Sequence, residues 1–380
     1  MSEVEFELRK LGDLIEIFNN KRVPLSAKQR EGLEKIYPYY GAQGIVDYVD
    51  DYIFDGKYIL IAEDGENLKS NNKSICTLAT GKYWVNNHAH IIKGNEGTNT
   101  DFLYYKLNSI NFAPYITGSA QPKLNKENLL NIELYIPSKE HQDKIGKVLT
   151  LLDKKIQINN QINQELEAMA KTLYDYWFVQ FDFPDQNGKP YKSSGGKMVY
   201  NPELKREIPE GWGVTKVGEL QIATGKRDAN FGTENGKYDF WTTANSPIKA
   251  DEFSFEGKAI LIAGNGNFYV NFTEGKFEAY QRTYVIQSED ENMLIFMYMA
   301  CLQSVEKLRK GSNGSIIKYI TIGDVNNIAS PYNKNVVNKF VRIYSPLIDL
   351  ISKNKRQNQE LTQLRDWLLP MLMNGQVKVE

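Results

Sequence analysis

Two long stretches of the chain repeat the same pattern of apolar and polar positions. From Ile145, apolar residues recur as Ile145, Leu152, Asn159, Leu166, Leu173 and, interleaved, Leu149, Ile156, Asn163, Ala170, Trp177. This a/d spacing predicts a coiled-coil-like helix over about 139–180. A second helix predicted over about 334–375 repeats both series 195 residues later: Phe340, Leu347, Asn354, Leu361, Leu368 and Tyr344, Ile351, Asn358, Arg365, Leu372. Asn159 and Asn163 match Asn354 and Asn358, and Asn163 and Asn358 each open the shared tetrapeptide NQEL. An amide in an apolar seam costs stability but fixes register or partner choice. Ser345-Pro346 reads as a helix start, so an unbroken second helix through residue 346 is not expected. Pro370 and Gly375 read as its end.

Before each helix lies a body with a shorter period. In the first, YPYYGAQG (Tyr37 to Gly44), IVDYVDDYIF (Ile45 to Phe54), KYILIAEDG (Lys57 to Gly65) and KYWVNNHAHII (Lys82 to Ile92) alternate like strands. TDFLYYKLNSI (Thr100 to Ile110) has helical spacing, and IELYIP (Ile132 to Pro137) closes the body as a strand. The second body repeats the landmarks: VGEL for LGDL, EGKAILIAGNG for DGKYILIAEDG, and AYQRTYVI in place of NNHAHII. Elsewhere the two diverge, which argues for one fold with two surfaces. The expected class is α+β, with two pseudo-repeated globular domains separated by two long antiparallel helices. The boundaries expected are 1–138, helix 139–180, linker 181–207, 208–333 and helix 334–375. The 181–207 stretch is rich in Gly, Pro, Ser and Lys, as linkers are.

Composition then narrows the chemistry. The formal charge is −1, so contact with DNA needs local basic patches or a partner that shares the phosphates. Two cysteines make no disulfide framework, no apolar run approaches the roughly 18 residues of a membrane span, and a cytoplasmic protein is expected. His88-x-His90 lacks the further ligands a metal needs, since His141 is the one other histidine. Pro184-Asp185 with Glu203-Leu204-Lys205 matches a loose PD…ExK nuclease pattern, but in a segment that reads as loop and has no counterpart in the first half. Gly264-x-Gly266 reads as a turn.

LGDL, GSAQPKLN, NQEL, the stretch from YDYWFVQFDFPD to NPELKREIPEGW, and the C-terminal NQELTQLRDWLLPMLMNGQV together resemble the specificity (S) subunits of Type I restriction–modification systems, over essentially the whole chain. The resemblance implies two target-recognition domains, each reading half of a bipartite site in double-stranded DNA. The conserved helices act as spacer and dock two methylation (M) subunits, which bind S-adenosylmethionine and methylate adenine. Restriction/translocase (R) subunits use ATP and Mg. The S subunit itself is not catalytic and holds no cofactor or metal. The chain has neither an Asp/Asn-Pro-Pro-aromatic methyltransferase motif nor a P-loop.

Loop chemistry supplies the candidate DNA contacts, because Lys and Arg suit phosphates and guanine while Gln and Asn suit adenine. They are Lys21, Arg22, Tyr40, Gln43, Gln121 and Lys123 in the first body. In the second they are Lys226, Arg227, Thr243, Asn245, Arg282, Ser315 and Lys318. Asn159, Asn163, Asn354 and Asn358 are the candidates for helix pairing. The rival readings are a stand-alone coiled-coil interaction protein and the PD…ExK-type nuclease.

Overall fold

The computed structural model describes residues 5–65, 68, 75–118, 122–312 and 318–379. The chain divides into two compact units, residues 1–159 with 356–380, and residues 160–355. Each long helix therefore gives part of its length to each unit.

In the first unit, Phe6–Lys10 pairs antiparallel with Glu133–Pro137, bringing the ends of the body together. An antiparallel sheet runs in the order Ile15–Ile17, Ala89–Gly94, Tyr58–Ala62, Cys76–Ala79. A second sheet runs Gly44–Val49, Tyr37–Gly41, Lys82–Val85, Phe54–Asp55, with one parallel pairing between Tyr39 and Trp84. KYWVNNHAHII thus forms two strands, broken at Asn86–His88 because the first belongs to one sheet and the second to the other. IVDYVDDYIF breaks likewise at its acidic centre. Helix Thr100–Asn108, capped by Asn99, buries Phe102, Leu103 and Leu107 in a core shared with Ile59, Ile61 and Ile92.

The second unit repeats this topology. Gly213–Lys216 pairs with Ala329–Tyr332. One sheet runs Gln221–Thr224, Thr283–Gln287, Ala259–Ala263, Val270–Thr273, and the other Ile248–Ala250, Tyr238–Trp241, Lys276–Ala279, Phe255–Glu256. Its helix, Glu291–Gly311, is longer than its counterpart in the first unit.

The first long helix spans Lys139–Tyr174 and ends in a wider π-helical turn, Asp175–Val179. No residue of its two heptad series is exposed, whereas Leu151, Ile158, Ile162 and Met169 lie outside them and are. The second spans Lys334–Met373 without interruption, so the expected start at Ser345-Pro346 is corrected. Pro346 removes one intrahelical N–H. Burial of Phe340, Val341, Tyr344 and Ile348 on both sides of it holds the helix through the gap. Pro370 also lies inside the helix. The end falls at Gly375, whose φ of 72° and the bonds Gln376 N to Met371 O and Gly375 N to Leu372 O form a Schellman motif.

The helices pair antiparallel within each unit. In the first unit Asn159 meets Gln357 and Asn358, and Asp153 meets Arg365 at 2.8 Å. In the second, Asn163 meets Asn354 and Tyr174 meets Phe340.

The segment 181–207 is not a free linker. Phe181 and Phe183 are buried in the second unit's core, Tyr191 stacks on Phe183 at 4.8 Å, and Met198–Asn201 pairs with Arg206–Pro209. Its aromatic residues outweigh the Gly and Pro that suggested a linker. Asp185 sits in a turn, accepting the amides of Asn187 and Lys189, while Glu203 pairs with Lys216.

Candidate nucleic-acid interface

In each unit the candidate loops converge at one end of the two sheets. The backbone bonds that bring them there are equivalent. In the first unit Asn86 N donates to Tyr40 O, Glu63 N to His88 O and Leu124 N to Glu63 O. In the second, Tyr280 N donates to Trp241 O, Gly264 N to Arg282 O and Ile320 N to Gly264 O. Loops far apart in sequence thereby share one surface, as a binding site borne on rigid strands requires.

The first unit presents Lys21, Gln43 and Lys123 to solvent. Lys21 lies over the Phe18 ring at 5.4 Å, and Gln43 sits at the tip of the hairpin joining Tyr37–Gly41 to Gly44–Val49. Tyr40 is half-buried, edge-on to Tyr83 at 5.4 Å, and burial pushes its hydroxyl pKa up. Arg22 is committed elsewhere. Its guanidinium bonds Glu63 at 2.7 Å and the carbonyls of Asn87 and Ala89, so this DNA-contact candidate ties strand ends together in the structure. Gln121 lies outside the described residues.

The second unit presents Lys226, Asn245, Arg282 and Lys318, with Thr243 half-buried. Lys226 lies over Phe255 at 5.5 Å. Arg227, like Arg22, is anchored. It pairs with Glu252 at 2.6 Å and with the fully buried Glu278 at 3.3 Å, and it covers Phe231 at 4.3 Å. Glu278 also accepts from Ser254 Oγ and the Ala279 amide. A buried carboxylate of this kind needs its cation, so Arg227 ties this scaffold together as well. Ser315 lies outside the described residues.

The HAH motif separates in space. His88 precedes its strand and pairs with Asp64 at 2.9 Å. His90 is buried, with Nε2 2.7 Å from Leu124 O and Nδ1 2.8 Å from Asn19 Nδ2. A carbonyl and an amide nitrogen require Nε2 to donate and Nδ1 to accept, which defines a neutral ring. Consistently, burial lowers the His90 pKa. Burial pushes the Glu63 carboxyl up, but the Arg22 and Lys123 hydrogen bonds outweigh this and hold it below its ordinary value. The linkage follows. The unfolded chain takes up protons that folded His90 and Glu63 resist, so stability is present at neutral pH and falls with acid. Urea unfolding should show the loss of stability beginning below about pH 6.5 for His90 and continuing below about 4.5 for Glu63. Stability unchanged between pH 7.5 and 5 would contradict the neutral-ring assignment.

One residue, Tyr319, escaped the sequence reading. Lys123 forms an antiparallel bridge with Asp64, and the same bridge in the second unit joins Asn265 to Tyr319. The exposed Tyr319, rather than Lys318, therefore occupies the place of Lys123. The signal was present in the caps that follow: Asn125 and Thr321 begin the short helices Lys126–Leu130 and Ile322–Asn326.

The sequence matches the family described as the Type I restriction modification DNA specificity domain twice, over residues 3–168 and 209–363. The chain is 29% identical over 318 residues to the MjaIX specificity subunit of Methanocaldococcus jannaschii, covering 75% of this chain and 71% of that one. It is 40% identical over 148 residues to a type I restriction enzyme specificity subunit of Haemophilus influenzae, covering 39% of this chain and just 37% of the relative. The fold matches the Type I restriction–modification S subunit of M. genitalium with a TM-score of 0.67 at 16% identity, over 98% and 97% of the two chains. Among the described residues no helix is long and apolar enough to cross a membrane. With two matched domains, one per repeat, the chain belongs to the family of Type I restriction–modification specificity subunits.

Proposed function

We propose that this chain is the non-catalytic subunit that gives a Type I restriction–modification complex its DNA sequence specificity. Domains 1–138 and 208–333 each read one half of a bipartite site, and the long helices serve as spacer and as dock for two methylation subunits. Those partners bind S-adenosylmethionine and methylate adenine, and restriction/translocase subunits bring ATP and Mg chemistry. The complex works in the cytoplasm.

The observation that carries this reading is the doubled loop surface. The same backbone bonds gather the same loops in both units, yet the exposed side chains differ: Lys21, Gln43 and Lys123 in one, Lys226, Asn245, Arg282 and Lys318 in the other. Equal scaffolds with unequal reading groups suit two unequal half-sites. The helices supply the second support. Apart from the paired seam, the first exposes Leu151, Ile158, Ile162 and Met169, and the second Ile343, Leu350, Leu364 and Trp367. Large apolar side chains left in water along a helix favour an interface with protein partners.

The test is to express the chain with its methylation subunits in a host lacking adenine methylation and to map methylated adenine genome-wide. A split motif with two defined halves is expected. Methylation without sequence preference would overturn the reading, as would Mg-dependent cleavage of plasmid by the purified chain alone that Asp185→Ala abolishes.

A further inference from the structure

His90 and Tyr284 occupy the same place in the two units. The central strands Tyr58–Ala62 and Ala259–Ala263 are the ILIA repeats, and Ile61 stands opposite His90 as Ile262 stands opposite Tyr284. Each reaches the same backbone carbonyl. His90 Nε2 lies 2.7 Å from Leu124 O, and Tyr284 donates its hydroxyl to Ile320 O at 3.1 Å. Leu124 and Ile320 each immediately precede the N-cap of the short helix that follows. The amides of the same two residues donate to Glu63 O and Gly264 O, at 2.9 and 3.0 Å. Both polar groups of one peptide position are thus held, in both units, by the sheet beneath. Leu124 is fully buried and Ile320 nearly so, whereas the preceding residues, Lys123 and Tyr319, are exposed.

We propose that His90 and Tyr284 are equivalent positioning residues of the two DNA-reading surfaces. Each clamps the arm entering the short helix, so that Lys123 in one unit and Tyr319 in the other stand at a fixed height over the strand ends. The clamp does not touch DNA. Its two chemistries, imidazole and phenol, deliver one hydrogen bond to one carbonyl, which is why sequence similarity between the halves is lost there while geometry is kept. The residue presented differs in kind. An ammonium suits a phosphate or guanine edge, and a phenol ring suits a thymine methyl, a sugar or a stacked base. The proposal rests on the specificity-subunit reading given above.

Tyr284→Phe is the cleanest test, since it keeps the ring and deletes the one hydroxyl. His90→Leu is the matching change in the first unit, with His90→Gln as the variant that can still reach the Leu124 carbonyl. Hydrogen exchange on the full chain reads the clamp directly. In Tyr284→Phe the Ile320 amide should exchange about tenfold faster, with Leu124 unchanged; His90→Leu should do the reverse, and His90→Gln should restore most of the protection. In the complex with methylation subunits, each of Tyr284→Phe and His90→Leu should lose about tenfold in discrimination at one half-site, a different one for each, and retain the other. A uniform loss at both half-sites, unchanged discrimination, or unchanged exchange would overturn the clamp. If the wild-type complex discriminates at neither half-site, the specificity-subunit reading fails, and the exchange measurement still decides whether the clamp exists.

Discussion

Leucine at Asn159, Asn163, Asn354 and Asn358 together should leave the long helices paired, raise the chain's stability and destroy its fixed register. Asn159 is buried within the first unit, donating to Gln357 Oε1 at 2.8 Å and Asn358 Oδ1 at 2.9 Å, while its own Oδ1 has no hydrogen-bond partner among the described residues. Leaving a buried acceptor unmet costs about 1–3 kcal/mol, which the substitution relieves. In the second unit Asn354 donates to Asn163 Oδ1 at 2.9 Å, and Asn163 reaches the Ile351 carbonyl at 3.5 Å. These bonds form at one register alone; with leucine at the four positions, a one-turn slip breaks the partly exposed Asp153–Arg365 pair but strands none of the seam amides. The structure therefore trades stability for uniqueness, as buried amides do in other paired helices. Light scattering should detect dimers or higher species in the quadruple variant. In the methylation assay the spacing between half-sites should become heterogeneous. A monomer with unchanged spacing would show that shape alone sets the register. Restoring Asn159 and Asn358 in the leucine background should recover most of the uniqueness, because they meet one another in the first unit.

That seam is legible in the sequence. The two heptad series and the 195-residue offset named the positions that prove buried or half-buried, including Arg365, which reaches Asp153 from a heptad position. Side chains that pair along a helix obey a local period, and a period can be read from sequence. The loop-bearing ends of the sheets were less legible because their partners are distant. Arg22 looks like a free loop cation until Glu63, 41 residues away, is found against it, and Arg227 meets Glu278 across 51 residues. The match of Lys123 with Tyr319 was hidden for another reason. Insertions change the offset from 195 in the helices to 201 between Ile61 and Ile262 and 196 between Lys123 and Tyr319, so that only strand pairing and helix caps restore the register. Pro346 illustrates the opposite failure. A strong local rule favoured a break, and the burial of Phe340, Tyr344 and Ile348 overrode it.

Phe340→Ala should be the most destabilising single change in the second unit. The side chain is fully buried, and its ring lies 5.2 Å from Phe178, 5.4 Å from Tyr344 and 6.0 Å from both Tyr174 and Trp177. It is the point where the start of one long helix packs on the end of the other, inside one unit. Removing a buried phenyl costs about 3–5 kcal/mol through lost transfer energy and the cavity left behind. For a unit of this size that corresponds to a fall of roughly 6–20 °C in the unfolding midpoint. Trp177 packs directly on Phe340, so indole fluorescence during urea unfolding reports on this site. A loss below about 1 kcal/mol would mean that the neighbouring rings collapse into the space, and that the junction is less rigid than its packing indicates. Trp367→Ala is the contrast. That indole is 57% exposed on the second helix, and its removal should change the isolated chain's stability by no more than about 0.5 kcal/mol. If the exposed apolar positions dock the methylation subunits, Trp367→Ala should nevertheless weaken assembly, separating a side chain kept for a partner from one that holds the fold.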